Sequence, residues 1–238
     1  MAEFKDILNR ELNLLDMKID EEAIENLCKY YDLLIQWNEK INLTAITEPK
    51  DVALKHFCDS LTILKHIEVE QNSRIIDVGT GAGFPGLVLK IARPDIKLTL
   101  LDSLNKRLIF LSEVCEKLGL KEVETVHIRA EEGARKEEYR EKFDFSVSRA
   151  VARLNVLSEY CLPYVRVGGY FIAMKAACAE EEIIQAKPAI DLLSGKIERV
   201  NEFELADAGM RAIIAIKKIG ATKKAYPRTG AKIKSKPL

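Results

Sequence analysis

Residues 74–86 read RIIDVGTGAGFPG, a short apolar run that leads directly into glycines at positions 79, 81 and 83. The apolar run is typical of a buried strand, and a helix is expected after the glycines. Because glycines carry no Cβ atom, they allow a sharp turn and a close approach of the backbone to a ligand. This order indicates a nucleotide-type site in an open parallel sheet. A tight turn without a ligand is the alternative, and three alternate glycines disfavour it.

Strand-like and helical patterns alternate along the rest of the chain. Seven β-rich runs cover residues 74–78, 97–102, 123–128, 143–148, 169–174, 197–205 and 211–217. Such alternation indicates right-handed crossovers and a mainly parallel sheet. The last two runs are joined by residues 206–210 alone, so a hairpin makes the final strand antiparallel. We therefore predict an α/β, Rossmann-like seven-stranded methyltransferase fold, because a dinucleotide-binding sheet has six strands.

Helical signals fill the first 70 residues and recur between the strands. Asp20 is predicted to cap one helix, and a second is predicted to begin at Pro49. Ser103 is predicted to cap the helix over 104–118, which Gly119 ends. Pro188 is predicted to kink or end the helix that contains it.

The charge of the chain is balanced but unevenly distributed. There are 37 basic and 37 acidic side chains in all, yet residues 217–238 hold eight basic and no acidic ones, which leaves a net charge of −8 on residues 1–216. A basic tail favours a polyanionic partner, and a merely solvated tail is the alternative. We divide the chain into an N-terminal helical cap (1–70), a methyltransferase domain (71–219) and a basic C-terminal tail (220–238).

Composition excludes several classes of protein. The chain is 47% apolar and 31% charged, has no apolar run of membrane-spanning length and no signal peptide, so a cytoplasmic protein without a membrane partner is expected. Its three histidines and scattered cysteines predict reduced thiols and no metal site. The cysteines are Cys28, Cys58, Cys115, Cys161 and Cys178.

The spacing of the glycine loop indicates the kind of ligand. In Gly-x-Gly-x-x-Gly, the third glycine lets a diphosphate lie on the helix amides, but here that position is Phe84. An aromatic side chain suits a ligand without phosphate, such as S-adenosylmethionine. Asp77 is placed to meet a cationic amino group directly or through the loop. Asp102, which ends the second strand, is placed to bind ribose hydroxyls, and Glu131 follows the third strand where an adenine edge would lie.

The fourth strand brings Arg149 to the same edge of the sheet, where it is expected to bind the cofactor or a phosphate. The sequence lacks the motifs that are typical of enzymes that methylate exocyclic amines or C5 of pyrimidines. Guanine N7 has a free lone pair and no proton, so methyl transfer to it needs alignment and no catalytic side chain. His56, Asp59 and Ser60 share a helix face. They are interpreted as a cap over the cofactor loop, since three residues of one helix rarely form a hydrolase triad.

The chain resembles the glucose-inhibited division protein B family of bacterial small-subunit ribosomal RNA guanine-N7 methyltransferases. The resemblance extends over nearly the whole chain. It is carried by residues 37–44, 56–61, 77–86, 102–107, 129–131, 148–152, 226–228 and 236–238.

The resemblance implies an S-adenosylmethionine-dependent enzyme that methylates one guanine N7 of 16S ribosomal RNA, free or in the small ribosomal subunit, as a monomer. It places the cofactor around Gly79, Phe84, Ala130, Glu131 and Arg149, with Asp102 on the ribose. Asp77 and Gly81 complete the expected cofactor-binding set, which has no metal ligand.

Two other functions are compatible with the residues alone. A methyltransferase for a small molecule or protein would make the tail incidental. A non-catalytic module that senses a dinucleotide is disfavoured by Phe84.

Overall fold

A seven-stranded sheet forms the centre of the computed structural model, which describes residues 2–149, 152–176 and 180–238. The strands are β1 (Arg74–Val78), β2 (Lys97–Asp102), β3 (Val123–His127), β4 (Phe143–Arg149), β5 (Val165–Lys175), β6 (Gly195–Glu204) and β7 (Met210–Lys218). They pair in the order β3-β2-β1-β4-β5-β7-β6, and β7 runs antiparallel to both of its neighbours. The predicted seven-stranded fold is confirmed.

Helices precede the sheet, as the sequence predicted for residues 1–70. They are α1 (Ala2–Leu14), α2 (Glu21–Asn38), α3 (Pro49–Val52) and α4 (Asp59–His66), with a π-helical turn (Ala53–Cys58) between the last two. Asp20 precedes α2 but makes no side-chain capping bond. Fully buried Tyr30 of α2 joins this layer to the glycine loop, because its hydroxyl donates to the Ala82 carbonyl.

Five further helices lie between the strands: α5 (Gly86–Ala92), α6 (Asn105–Lys117), α7 (Ala130–Gly133), α8 (Leu154–Cys161) and α9 (Glu180–Leu192). The prediction that Ser103 caps α6 is wrong. Leu104 precedes that helix, and its N–H donates to Asp102 Oδ1 over 2.9 Å. The helix α9 does not end at Pro188 but continues past it. Buried residues on both sides of the proline, Ala186, Ala189 and Ile190, anchor the helix in the core.

The C-terminal tail is packed rather than free. It folds back onto the sheet domain and ends in α10 (Gly230–Ser235). Lys218 is fully buried and donates to the Leu162 carbonyl over 2.9 Å, and Arg228 forms a buried ion pair with Glu159. Lys218, at the end of β7, and Arg228, in the tail, are therefore the two of the eight basic residues of 217–238 that are held in buried contacts. Five lysines of the tail are exposed: Lys223, Lys224, Lys232, Lys234 and Lys236.

Three of the cysteines, Cys28, Cys58 and Cys161, are buried free thiols, and Cys115 is half-buried. Cys178 lies outside the described residues, as do Ala150 and Val151 of the 148–152 motif. Within the described part of the chain, every helix is too short or too polar to cross a bilayer.

Candidate active site

A cavity of about 970 Å³ opens at the carboxyl ends of β1, β2 and β4. Five of the residues predicted to bind the cofactor line it together: Gly79, Asp102, Ala130, Glu131 and Arg149. Apolar side chains complete the wall, among them Val78, Leu101, Val156, Leu157 and Tyr160. An apolar pocket with a few convergent polar groups is the usual form of a cofactor site.

Asp77 shapes the glycine loop from beneath and does not line this cavity. It is completely buried, and its Oδ2 accepts from the Thr80 hydroxyl and from the Gly86 N–H, both over 2.8 Å. A Cβ on Gly86 would lie 2.7 Å from the Cβ of Asp77, so glycine is required there. Burial raises the pKa of Asp77 to about 6. Of its two predicted roles, the structure supports the one that acts through the loop.

Asp102 connects the end of β2 to the loop and to the cavity. Its Oδ2 accepts from the Gly81 N–H over 3.0 Å and from Arg107 over 3.3 Å. Gly81 is thus held behind the cavity wall, where it does not line the cavity. A carboxylate oxygen has two lone pairs, and Oδ1 accepts only from the Leu104 N–H, so Oδ1 can still accept from a ribose hydroxyl.

Ala130 and Glu131 begin α7, at the edge of the cavity. The Ala130 carbonyl accepts from the Tyr164 hydroxyl over 2.6 Å, which fixes this turn. The carboxylate of Glu131 lies beside Gly230 of the tail.

Phe84 is a buried support for Arg149. Its ring stacks on the His56 imidazole, with 4.4 Å between centroids, and the Arg149 guanidinium carbon lies 5.0 Å from the Phe84 centroid. Phe84 lines neither of the cavities described here. Its contact with the cavity residues is therefore the one with the Arg149 guanidinium.

Residues of the helical layer hold Arg149 in place. Its Nη1 donates to the Lys55 carbonyl over 3.0 Å and to Asp59 Oδ2 over 2.9 Å. Asp59 Oδ1 in turn accepts from Arg211 Nε over 3.2 Å. The π-helical turn brings Lys55 and His56 to this contact, more than 90 residues away from Arg149 in sequence.

A second cavity of about 550 Å³ adjoins the first and shares Arg149 and Ala152 with it. Four cationic side chains line it, against one carboxylate, that of Asp59. The cations are Lys55, Arg149, Lys175 and Arg211. Lys55 also pairs with Asp51 over 2.9 Å and Lys175 with Glu182 over 2.7 Å, so a net charge of one positive unit remains. This net positive charge favours an anionic or phosphate-bearing ligand.

His56 is neutral. Its Nδ1 lies 3.2 Å from Arg149 Nη2 and 3.2 Å from the Lys55 carbonyl, and its Nε2 lies 2.8 Å from the Thr44 hydroxyl. Since a guanidinium can only donate, the contact with Arg149 is a hydrogen bond in the tautomer whose proton is on Nε2. Burial, and then the charge of Arg149, lower the pKa of His56 to about 3. The Ser60 hydroxyl is buried and donates to the His56 carbonyl, which excludes a hydrolase triad.

The polar and aromatic segment 37–44 packs the helices. Trp37 Nε1 donates to Glu113 of α6 over 3.1 Å. Asn38 Oδ1 accepts from the backbone of Leu43 and Thr44. In the part of the chain that the structure describes, the hydrogen bond between Thr44 and His56 links this segment to the site.

Sequence reasoning missed Arg211, Lys175 and the tail residues Gly230, Ala231 and Lys234. Arg211 and Lys175 lie at ends of β7 and β5, which carry no motif. Their position next to Arg149 follows from the antiparallel pairing of β5 with β7, in which Lys175 lies opposite Ala212.

Comparison with known proteins agrees with this geometry. The family model described as rRNA small subunit methyltransferase G, or GidB, matches residues 23–213. This chain belongs to the GidB family. The ribosomal RNA small subunit methyltransferase G of Clostridium novyi is 48% identical over 99% of this chain and 97% of its own length. That of Desulforamulus reducens is 51% identical over 88% of both chains. The resemblance drawn from the sequence is confirmed.

Solved structures show that the GidB chain shares its fold with other methyltransferases. A putative methyltransferase from Bacillus halodurans has a TM-score of 0.55 and 14% identity, and the match covers 68% of this chain and all of that one. A SAM-dependent methyltransferase from Aquifex aeolicus has a TM-score of 0.52 and 20% identity, over 76% of this chain and 97% of the other.

Proposed function

We propose that this chain is an S-adenosylmethionine-dependent methyltransferase that methylates N7 of one guanine in 16S ribosomal RNA. The observation that carries the proposal is the pair of adjoining cavities that meet at Arg149. The larger cavity has apolar walls and carboxylates, and the smaller cavity is lined by cationic side chains. The relatives, named as ribosomal RNA small subunit methyltransferases, supply the class of acceptor.

The residues of the larger cavity fit S-adenosylmethionine. Asp102 Oδ1 can accept from a ribose hydroxyl, and the apolar side chains on β1, β2 and α8 suit the adenine ring. Arg149 can pair with the carboxylate of the methionine moiety. When bound, the cofactor supplies an electrophilic methyl group on a cationic sulfur. Phe84 and Asp77 contribute from behind, through Arg149 and the loop.

The smaller cavity is proposed to hold the guanine and its phosphate. Since N7 carries a lone pair and no proton, the chain needs only to bind and orient the base and to exclude water. His56, neutral and hydrogen-bonded on both nitrogens, fits this requirement, because it stabilises Arg149 and moves no proton.

The proposal assigns residues 1–70 to a cap that supports the loop, 71–219 to the catalytic domain and 220–238 to RNA contact. We expect the protein to act as a monomer in the cytoplasm, where the ribosomal RNA acceptor is found. A small-molecule or protein acceptor is the alternative, for which the cationic cavity gives no reason.

Calorimetry with S-adenosylmethionine and with NAD tests the cofactor. We expect binding of the first alone, and the Asp102→Asn variant to weaken it at least tenfold, since one charged acceptor is lost. The matched Asp207→Asn variant, whose side chain is 77% exposed, leaves binding unchanged. Tight binding of NAD without response to S-adenosylmethionine would overturn the proposal. If 16S ribosomal RNA is neither methylated nor inhibits methyl transfer to another acceptor, a small-molecule or protein substrate is favoured instead.

A further inference from the structure

The C-terminal helix forms part of the wall of the cofactor cavity. Gly230, Ala231 and Lys234 of α10 line it together with Asp102 and Glu131. The sequence assigned this segment to RNA contact alone. Its position shows a second task, on the inner side of the same short helix.

Buried contacts fix the helix in this position. Arg228, just before α10, binds Glu159 of α8 with Nη2–Oε2 of 2.6 Å and Nε–Oε1 of 2.9 Å, and its backbone N–H donates to the same carboxylate over 2.7 Å. The Glu159 side chain is only 1% exposed. Ile233 is fully buried in the cluster that contains Leu154 and Leu157. The wall is therefore anchored both before and within the helix.

Gly230 touches the carboxylate of Glu131. A Cβ atom on Gly230 would lie 2.0 Å from Glu131 Oε1 and 2.9 Å from its Cδ. Real Cβ atoms do not approach other atoms so closely, so any other residue at position 230 moves that carboxylate. Position 230 thus determines where the Glu131 carboxylate can lie.

We propose that residues 228–235 belong to the cofactor site, and that Gly230 is a positioning residue that sets the Glu131 carboxylate against the cofactor. This inference rests on the proposed function, because it takes Glu131, which lines the proposed cofactor cavity, as a cofactor contact. The tail then has two roles, with Gly230 at the cofactor cavity and Lys232 and Lys236 exposed to solvent.

The Gly230→Ala variant tests the inference. The added methyl meets the end of a flexible side chain, so we expect the fold and the melting temperature to be unchanged. The Kd for S-adenosylmethionine should rise about tenfold, as expected for one misplaced charge-assisted hydrogen bond. The KM for the cofactor should rise equally, while kcat at saturating cofactor and the KM for RNA stay constant. Gly220→Ala is the matched control, since a Cβ there lies an ordinary 3.5 Å from Ser194.

A double-mutant cycle separates this role from a general one. If Gly230 acts through Glu131, Gly230→Ala has no further effect on cofactor affinity in a Glu131→Ala background. An unchanged Kd for Gly230→Ala would overturn the inference, and so would a tenfold loss that persists without Glu131. Wild-type protein that binds no S-adenosylmethionine would overturn the proposed function and the inference together, whereas an unaffected variant overturns the inference alone.

Discussion

Asp77 is a fully buried carboxylate, and its ionisation lowers the stability of the fold. Its pKa rises from 3.8 to about 6 because burial disfavours the charge. Between these values the native state binds more protons than the unfolded state, so the stabilisation is complete below 3.8 and is lost as the pH rises through 6. The loss amounts to about 3 kcal/mol.

Replacement of Asp77 by Asn should remove this pH dependence. An amide carries no charge at any pH, and its oxygen can still accept from Thr80 and Gly86. Relative to wild type, the free energy of unfolding of Asp77→Asn should therefore improve by about 2 kcal/mol between pH 4.5 and 7.5 in urea titrations. Asp191→Asn, at an exposed position of α9, is the control. Parallel stability curves for wild type and Asp77→Asn would contradict the prediction.

His56 predicts a flat rate profile above neutrality. Its pKa of about 3 keeps it neutral, and the N7 acceptor needs no base. The single-turnover rate of methyl transfer, with RNA and cofactor both saturating, should thus be constant between pH 7 and 9. A rate that rises tenfold per pH unit in this range would indicate a general base and contradict the alignment mechanism.

At the scale of elements, the tail combines buried anchors with exposed charge. Lys232 and Lys236 are exposed and do not line the cofactor cavity. The Lys232→Gln, Lys236→Gln double variant should reduce the slope of log Kd for RNA against log salt concentration by about 1.4, if each lysine contacts one phosphate of a single strand. Cofactor affinity should not change.

The control for this variant lies at the opposite end of the sheet. Lys97 and Lys121 are exposed near the amino ends of β2 and β3. Replacing both with Gln changes the net charge by the same amount as the tail variant does. Because these two lysines lie at the opposite end of the sheet, the salt slope should stay as it is in wild type. Equal slopes for all three proteins would remove these tail lysines from the RNA interface.

Local signals predicted the strands and the loop, because apolar periodicity and glycine spacing report on neighbours in sequence. They also placed Asp102 and Arg149 correctly at strand ends, where a parallel sheet collects them. Long-range contacts had no such signal. The ion pair of Arg228 with Glu159 joins residues 69 apart, so the lysine-rich sequence carried no sign that the tail packs against α8. The π-helical turn was equally invisible, since it differs from an α-helix by its hydrogen bonds alone.

At the scale of the whole molecule, three layers meet at one edge of the sheet. The helical layer supports the glycine loop through Tyr30. It supports Arg149 through Asp59. The sheet supplies Asp102 and Arg149, and the tail supplies the last wall. Residues 1–216 carry a net charge of −8, whereas the exposed tail lysines and the smaller cavity are cationic. This distribution directs a polyanion to the face where the two cavities meet.

The central claim is that this edge of the sheet transfers a methyl group to a guanine N7. The most direct measurement supplies methyl-labelled S-adenosylmethionine with unmodified 16S ribosomal RNA, both free and in small subunits, and maps the label by nuclease digestion and mass spectrometry. We expect label on N7 of a single guanine in at least one of the two substrates. Label on an exocyclic amine or a ribose, or no label in either substrate, would contradict it.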